Sequence, residues 1–370
     1  MKAKIAHLTS VHRRFDTRIF VKMSKSCVKH GHPTTLVVAD GFGDEVREGV
    51  DIVDVGRPSG RVDRALNSTR KIYDRALDLR ADIYHLHDPE LLPVGIKLKK
   101  AGYKVIFDSH EDVPLQLLAK GYMHPLCRRA VSRVYGRYEA FACRKLDGIV
   151  TATPFIRDKF AANCDRVLDI ANYPILDELS GSDDWDIKGQ QVCYVGSIGR
   201  VRGIEQMCSA LQHVKNGVSL DLIGQFDSET LRREIMELPG WEKVTEYGLL
   251  DRKAVKNVLS RAQAGLVTLH PIINYMDALP IKMFEYMSAG IPVIASDFPA
   301  WRAIVSGNGC GILVNPMQPL EIADAINTLL SDPGLAKHLG TNGRRAIEAK
   351  YNWASEEAKL FSFYDVILES

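Results

Sequence analysis

Short apolar runs alternate with longer amphipathic stretches along most of this chain. In the first half the apolar runs are rich in β-branched residues, and they predict strands at residues 5–8, 35–39, 83–87, 105–108 and 149–151. Between them, apolar positions at helical spacing predict helices at residues 19–30, 62–79 and 91–101. This rhythm is typical of a parallel sheet that is covered by helices on both faces.

The same rhythm returns after residues 172–189, where Pro174, Gly181, Gly189 and several acidic residues indicate an interdomain linker. Strands are then predicted at residues 191–195, 219–223, 265–269, 292–295 and 311–314, and helices at residues 204–213, 228–238, 252–261, 281–288 and 320–330. A last amphipathic stretch, residues 351–368, predicts a final helix. The predicted fold class is therefore α/β, with two Rossmann-like, doubly wound parallel-sheet domains, residues 1–174 and 188–353, facing across a cleft.

Composition fits a soluble globular protein, with 46% apolar and 25% charged residues. The formal net charge of +2 gives no reason to expect nucleic-acid binding. No run of 18 apolar residues suggests a transmembrane helix, and the first residues, MKAKIAHLT, indicate a strand rather than a signal peptide. Seven cysteines without CxxC or Cys/His metal spacing fit a reducing compartment, so we expect a cytoplasmic protein.

Residues 276–295, MDALPIKMFEYMSAGIPVIA, carry the clearest candidate chemistry. The segment predicts a tight loop, a short helix beginning near Pro280, a glycine turn and a buried strand. Lys282 and Glu285 lie three residues apart and therefore share one face of that helix. Free N–H groups at the helix start, beginning at Ile281, and the Lys282 ammonium would form an anion site suited to a diphosphate. Glu285 could accept hydrogen bonds from ribose hydroxyls, and Asp277 could face the ligand from the other side.

Asp277 and Glu285 lie eight positions apart, which resembles the acidic-x7-acidic signature of the retaining glycosyltransferases of family 4, the group 1 type. The resemblance extends over nearly the whole chain and implies the GT-B fold, with a C-terminal helix, about residues 354–370, packing back on the first domain. The family usually has Glu at the first acidic position and Gly-Phe-Gly after it, whereas this chain has Asp277 and then Ala278-Leu279-Pro280.

Residues 194–205, YVGSIGRVRGIE, predict a glycine turn before a helix, a geometry that binds phosphate. By the resemblance, Arg202 stands for a family Lys and Ser197 for a family Arg, Gly196 belongs to the donor loop, and Arg200 supplies a further charge. The alternative is a plain glycine turn with solvent-facing arginines. Gly248 and Leu249 are candidates for contacting the nucleotide base, although they equally fit an ordinary strand-to-helix loop.

In the first domain, the resemblance places His110, in FDSHEDVP, close to the donor sugar; the alternative is a structural histidine. His85 and His87 alternate on a strand and share one face, but a metal site needs a third ligand, so we expect no metal. Acceptor-side roles are predicted for a set of polar residues on the loop after the first predicted strand and around the end of the third, namely His12, Asp16, Arg18, His87 and Asp88. Asp16 and Arg18 equally fit a helix cap and a salt bridge.

Residues 120–145 interleave basic and aromatic side chains, which predicts a helix for peripheral contact with the inner face of the plasma membrane. The alternative is a solvated charged face over an apolar core.

The resemblance implies that a sugar moves, with retention, from a nucleotide diphosphate donor to a glycan or lipid-linked acceptor in bacterial surface polysaccharide synthesis. Weaker indications favour UDP and an N-acetylhexosamine or hexose. His110, Asp277, Arg202 and Lys282 would be catalytic, without a cofactor, because cations would replace a divalent metal. Two alternatives stay open, a UDP-sugar 2-epimerase of GT-B fold and a non-catalytic nucleotide-sugar-binding partner subunit.

Overall fold

The computed structural model describes residues 2–119, 123–179, 185 and 188–370 of the chain. These residues form two compact units. The first contains residues up to Asn172 together with Glu356–Ser370, and the second is Tyr173–Ser355. Each unit has its own sheet and its own apolar core.

The described part of the first unit contains an eight-stranded sheet with the order β3-β4-β2-β1-β5-β6-β7-β8. Every pairing is parallel except β3 with β4. The strands are β1 (Ile5–Leu8), β2 (Thr34–Val38), β3 (Glu45–Arg47), β4 (Val50–Asp54), β5 (Ile83–Leu86), β6 (Lys104–Ser109), β7 (Gly148–Thr151) and β8 (Val167–Asp169).

Helices cover this sheet. They are Thr17–Ser24, which has wide π-type turns, Lys25–Lys29, Arg61–Asp63, Arg64–Ser68, Thr69–Leu79, Pro89–Leu91, Leu92–Lys100, Val113–Ala119, Pro125–Cys143 and Pro154–Ala161. The final helix, Trp353–Glu369, belongs to this unit from Glu356 onwards.

Successive side chains of β1 and β5 point to opposite faces of the first sheet. Leu8 and Leu86 pack in the larger apolar core, whereas the neighbouring positions hold His7 and His85, which are opposite each other in the strand register. Because successive side chains of a strand alternate between faces, His7 and His85 lie on the face opposite Leu8 and Leu86.

The described part of the second unit contains a six-stranded parallel sheet with the order β11-β10-β9-β12-β13-β14. The strands are β9 (Gln191–Val195), β10 (Ser219–Ile223), β11 (Val244–Gly248), β12 (Ala264–Val267), β13 (Val293–Ser296) and β14 (Gly311–Val314). Two buried apolar clusters lie on its opposite faces, since Val192 and Tyr194 belong to one and Cys193 to the other. Both faces are therefore covered, as in a doubly wound sheet.

The helices of the second unit are Arg200–Arg202, Ile204–Leu211, Glu229–Met236, Pro239–Lys243, Arg252–Arg261, Ile273–Met276, Ile281–Ser288, Pro299–Val305, Pro319–Ser331 and Pro333–Ala349. The helix Ile281–Ser288 begins directly after Pro280, where the sequence predicts it. Several elements were not predicted, among them the strands β3, β4 and β8 and the helices Val113–Ala119, Pro154–Ala161, Pro299–Val305 and Pro333–Ala349.

Candidate functional site

Two loops at the carboxyl edge of the second sheet meet through glycines. Gly196, after β9, has a φ of 128°, and Gly224, after β10, has a φ of 143°. A Cβ on Gly224 would lie 1.8 Å from the carbonyl oxygen of Gly196. Only glycine allows both the backbone conformation and the close approach. The resulting loop pair, which we call the glycine loops, lies where parallel α/β sheets bind ligands.

Lys282 reaches from the first turn of the helix Ile281–Ser288 into the glycine loops. A Cβ on Gly196 would lie 3.1 Å from its Nζ, which also lies 3.5 Å from the centre of the Tyr194 ring. This Nζ is buried and lacks a hydrogen-bond partner among the residues that the structure describes. Burial lowers the pKa of Lys282 well below its ordinary value, Arg202 lowers it further, and Glu285 opposes both. A bound anion would provide the partner that Nζ lacks.

Glu285 lies one turn later on the same helix and is held by Arg252. The Nη1 of Arg252 donates to Oε1 of Glu285 over 2.6 Å, while its Nε and Nη2 contact Glu178 at 2.9 and 3.0 Å. Glu285 is buried, so this ion pair fixes its orientation. Arg252 was not among the predicted site residues, although it lies shortly after Gly248 and Leu249, the candidates for contacting the base.

The two predicted arginines of the donor loop have different surroundings. Arg202 is half-buried and lies close to Lys282 and Tyr194. Burial raises the pKa of Tyr194 and Arg202 opposes that shift, whereas burial lowers the pKa of Lys282 and Arg202 adds to that shift. Arg200 instead forms surface ion pairs with Glu205 and Glu234. The structure therefore brings Arg202, and not Arg200, together with Lys282.

Ser197 is exposed, and its carbonyl oxygen accepts a hydrogen bond from the Tyr194 hydroxyl over 2.7 Å. Tyr194, which sequence reasoning did not single out, therefore supports the loop as well as facing Lys282.

The remaining predicted donor residues differ in how far they are exposed. Gly248 has a φ of 68°, and its carbonyl oxygen accepts from the Gly224 N–H over 2.8 Å, so it adjoins the glycine loops. The Leu249 side chain is 75% exposed. Ile281 is partly exposed as the first residue of its helix, and Asp277 is exposed after the short helix Ile273–Met276.

A second cluster of predicted residues lies at the carboxyl ends of β1, β5 and β6 in the first unit. His12 Nδ1 lies 3.0 Å from Oδ1 of Asp88, whose Oδ2 accepts from the Thr9 hydroxyl and the Ser10 N–H at 2.8 and 2.6 Å. Burial alone would raise the pKa of Asp88, but His12 and these donors lower it to about 2. Burial lowers the pKa of His12, yet Asp88 outweighs burial and the net shift is upward. This pair therefore favours a charged imidazole.

His110 and Asp108 form a second histidine–aspartate pair, like that of His12 and Asp88. Its Nε2 lies 2.9 Å from Oδ2 of Asp108, and its ring centre lies 5.1 Å from that of His12. His87 also contacts Asp108, through Nδ1 at 3.2 Å. Asp108 lies two residues before His110 in the segment FDSHEDVP but was not predicted as a site residue, because its other partners, His87 and Arg18, are distant in sequence. The structure thus gathers four predicted residues, His12, His87, Asp88 and His110.

Asp16 and Arg18 have partners of another kind. Asp16 caps the helix Thr17–Ser24, since its side chain accepts from the N–H groups of Arg18 and Ile19. The Arg18 side chain is buried and donates to both oxygens of Asp108. The structure thus shows the helix cap and the salt bridge that were the alternative to acceptor-side roles for these residues. Arg18 forms its salt bridge with Asp108 and not with Asp16. Arg18 therefore supports the cluster from within instead of facing outward.

Three buried histidines form a further grouping within the described residues. His7, His85 and His87 place one ring nitrogen each within 4.8 Å of one another, which is close enough to hold a metal ion. The sequence pattern identified only His85 and His87 and offered no third ligand. His7, which is distant in sequence, was not predicted to lie beside them. The expectation that no metal takes part stays a prediction.

The basic segment contains the helix Pro125–Cys143; Lys120 and Tyr122 lie outside the described residues. Its exposed surface mixes arginines with large apolar side chains, namely Leu126, Val131, Val134 and Phe141. In the part of the chain that the structure describes, no helix is both long enough and apolar enough to cross a membrane.

Comparisons with known proteins cover both units. The family model described as Glycosyl transferases group 1 matches residues 177–346, and that described as Glycosyltransferase Family 4 matches residues 17–167. An MMP alpha-(1->4)-mannosyltransferase of Mycolicibacterium hassiacum is 21% identical over 77% of this chain and 71% of its own length. The chain spans about half the length of several other curated relatives.

Solved structures show the same fold. Sucrose-phosphate synthase of Thermosynechococcus elongatus superposes with a TM-score of 0.80 at 18% identity, over 100% of both chains. The HepE protein of Anabaena, in complex with UDP-glucose, gives a TM-score of 0.74 at 13% identity, over 98% of this chain and 100% of its own. The predicted fold class is confirmed, and the chain belongs to the group 1, family 4 glycosyltransferases of GT-B fold.

Proposed function

We propose that this chain transfers a sugar, with retention of the anomeric configuration, from a UDP-sugar to a glycan or lipid-linked acceptor. The observation that carries the proposal is the buried Nζ of Lys282, which lies against Gly196 without a hydrogen-bond partner among the described residues. A diphosphate would offer oxygen acceptors at this point, and charge-assisted hydrogen bonds would offset the burial of the cation.

The residues around Lys282 suit a nucleotide diphosphate. Arg202 adds a second cation, and the first N–H groups of the helix Ile281–Ser288 add a partial positive charge. Glu285, held by Arg252, would accept hydrogen bonds from the ribose, while Gly248 and Leu249 would contact the base. We keep Ser197 and Asp277 as donor-side residues by position in the family signature.

The proposed mechanism is a front-face substitution. The bond from the anomeric carbon to the diphosphate oxygen breaks while the acceptor oxygen bonds to the same face of that carbon. The departing phosphate oxygen takes the proton of the acceptor hydroxyl. Lys282, Arg202 and the helix N–H groups would stabilise the negative charge on the diphosphate, a role that divalent metals fill elsewhere. We therefore propose a reaction that requires no metal.

The relatives leave the donor open between nucleotides, since one mannosyltransferase of Mycobacterium tuberculosis is named GDP-mannose-dependent and the HepE structure holds UDP-glucose. We propose UDP, carrying an N-acetylhexosamine or a hexose. For the acceptor we propose a membrane-attached glycan of bacterial surface polysaccharide synthesis, reached from the cytoplasmic side. The exposed apolar and basic side chains of Pro125–Cys143 support this choice, because such a helix can lie on an anionic membrane surface.

Turnover with labelled donors tests the proposal. The wild-type chain would be incubated with UDP-glucose, UDP-N-acetylglucosamine or GDP-mannose and with lipid-linked glycan acceptors. We expect acceptor-dependent release of UDP and a product whose anomeric proton coupling matches that of the donor. Lys282→Met should remove turnover, whereas Lys253→Met, which changes an exposed lysine of the same unit, should not.

Other results would replace the proposal. Release of GDP would change the donor, and a product of inverted configuration would remove the front-face mechanism. Isomerised UDP-sugar without any acceptor would indicate an epimerase. Donor binding without turnover, across all acceptors, would indicate a non-catalytic binding subunit.

A further inference from the structure

The carboxylate of Asp108 lies at the centre of a buried hydrogen-bond network in the first unit. Arg18 donates to both of its oxygens at 2.8 Å, and Arg18 is itself held by the carbonyl oxygen of Ile170 at 2.7 Å. His110 Nε2 and His87 Nδ1 both contact Oδ2, at 2.9 and 3.2 Å. Contacts from three side chains fix the orientation of this fully buried carboxylate.

Asp108 is ionised and can therefore only accept hydrogen bonds. Burial alone would raise the pKa of its carboxyl, but Arg18, His110 and His87 outweigh burial, and the pKa lies well below its ordinary value. Burial lowers the pKa of His87, whose ring is therefore neutral. The contact between His87 and Asp108 is thus a hydrogen bond from a neutral imidazole.

An acceptor-only carboxylate decides which nitrogen of each neighbouring ring carries the proton. His87 must be protonated at Nδ1, so its Nε2 must accept. The partner of that Nε2 is Nδ1 of His7, at 2.9 Å, which must therefore donate. Burial keeps His7 neutral, since its pKa is lowered well below the ordinary value. Its bare Nε2 then faces the Cys27 sulfur at 3.7 Å.

The same reasoning applies to His110, which is partly exposed. Its Nε2 donates to Asp108, and no other hydrogen bond to this ring is found among the described residues, so Nδ1 is the nitrogen that a ligand can reach. We propose that Asp108, held by Arg18, is a positioning residue that presents Nδ1 of His110 to a hydroxyl group of the sugar substrate. This inference rests on the proposed function, because that function makes the ligand a sugar.

Nuclear magnetic resonance of the full chain with ¹⁵N-labelled histidine tests the geometry without turnover, because protonated and bare ring nitrogens have distinct shifts. We expect a proton on Nε2 of His110 and on Nδ1 of both His87 and His7. In Asp108→Asn the amide offers a donor as well as an acceptor. The rings of His87 and His7 should then each populate both tautomers, with the proton on either ring nitrogen. Asp88→Asn, which alters the partner of His12, should leave the three rings unchanged. A bare Nε2 on wild-type His110 would overturn the inference.

Kinetics test the positioning role itself. Asp108→Asn should lower kcat roughly tenfold or more with little change in the donor KM, since a directed hydrogen bond to the substrate is lost. In a His110→Gln background the same substitution should add almost nothing, because Asp108 acts through His110. Independent, multiplying effects of the two substitutions would overturn the role and leave only a structural one.

Asp108→Asn leaves the buried guanidinium of Arg18 without its carboxylate, which could unfold the protein. The double variant Arg18→Met/Asp108→Leu removes both charges together and keeps the side-chain volumes similar. It should fold and show the same loss of kcat. If the wild-type chain turns over no donor, the proposed function fails. The protonation of the histidine ring nitrogens, measured by nuclear magnetic resonance, still tests whether Asp108 fixes the tautomer of His110.

Discussion

Lys282 is the residue at which a cost in stability and the proposed binding role would coincide. Its ammonium is buried beside the Tyr194 ring, and a cation above an aromatic face recovers only part of the hydration that burial removes. A group of this kind persists where a ligand completes its contacts. The free protein should therefore be more stable without this charge, while the ligand-bound protein should depend on it.

Lys282→Met tests this expectation. The pKa of Lys282 is lowered in the folded chain, so the unfolded chain binds more protons between the folded value and about 10.4. The contribution of Lys282 to the free energy of unfolding therefore rises with pH across that window. At pH 7 the variant should be more stable than the wild type by roughly 1–3 kcal/mol, and the difference should shrink towards pH 10.

Urea unfolding at pH 7 and pH 9.5 measures the difference. Lys253→Met serves as the control, since it removes an equal charge from an exposed position of the same unit. A variant at position 282 that is less stable than the wild type at pH 7 would show that Lys282 has an unrecognised stabilising partner.

Residues close in sequence were predictable at the site, and residues joined by long-range contacts were not. Lys282 and Glu285 share a helix face because they lie three positions apart, which the sequence displays directly. Arg252 reaches Glu285 across 33 positions, and Arg18 reaches Asp108 across 90. Such partners become visible only once the sheet order places their strands and helices side by side.

At the scale of elements, the strands that were predicted match the structure to within one or two residues, because their apolar runs are continuous. The helix Pro333–Ala349 was missed because GTNG, residues 340–343, has the composition of a turn. In the structure a Cβ on Gly340 would lie 2.1 Å from the carbonyl oxygen of Gly290. Tertiary packing therefore explains a glycine that local propensity assigns to a loop.

The contact between the glycine loops makes a matched pair of substitutions informative. Gly224 and Gly217 both have positive φ, but only at Gly224 would a Cβ meet backbone, whereas none lies within 4 Å at Gly217. Gly217→Ala should cost about 1 kcal/mol for the left-handed conformation, and Gly224→Ala should cost at least about 4 kcal/mol or prevent folding. Chemical denaturation measures both, and equal losses would contradict the close approach of the two loops.

The helix Pro125–Cys143 carries a prediction about membrane contact. Val134 is 67% exposed on this helix among arginines, while Val366 is 50% exposed on the final helix. Val134→Glu should weaken binding to anionic vesicles about fivefold or more, because it removes apolar burial and adds a repelled charge. Val366→Glu is the control of equal chemistry. Equal binding of both variants and the wild type in a vesicle sedimentation assay would assign the helix to a solvated face.

At the scale of the whole molecule, the two-domain α/β class was predictable because the strand and helix rhythm occurs twice, on either side of a break rich in glycine, proline and acidic residues. The identity of the substrates was harder to predict from the sequence. Leu249, the side chain proposed to face the base, would offer only an apolar contact, and such contacts discriminate weakly between bases. Nucleotide identity therefore has to be measured.

UDP should stabilise the chain selectively over GDP and ADP. At 100 times its dissociation constant a ligand adds about 2.7 kcal/mol to the free energy of unfolding. Because Lys282 and Arg202 would provide the positive charge, EDTA should leave the stabilisation unchanged, and Lys282→Met should reduce UDP affinity roughly ten- to hundredfold. Hydrogen exchange with UDP bound should show new protection at residues 194–205 and at Ile281–Ser288. If EDTA abolished the stabilisation by UDP, a metal ion rather than the two cations would hold the diphosphate. Protection from exchange in other segments would show that the donor binds elsewhere.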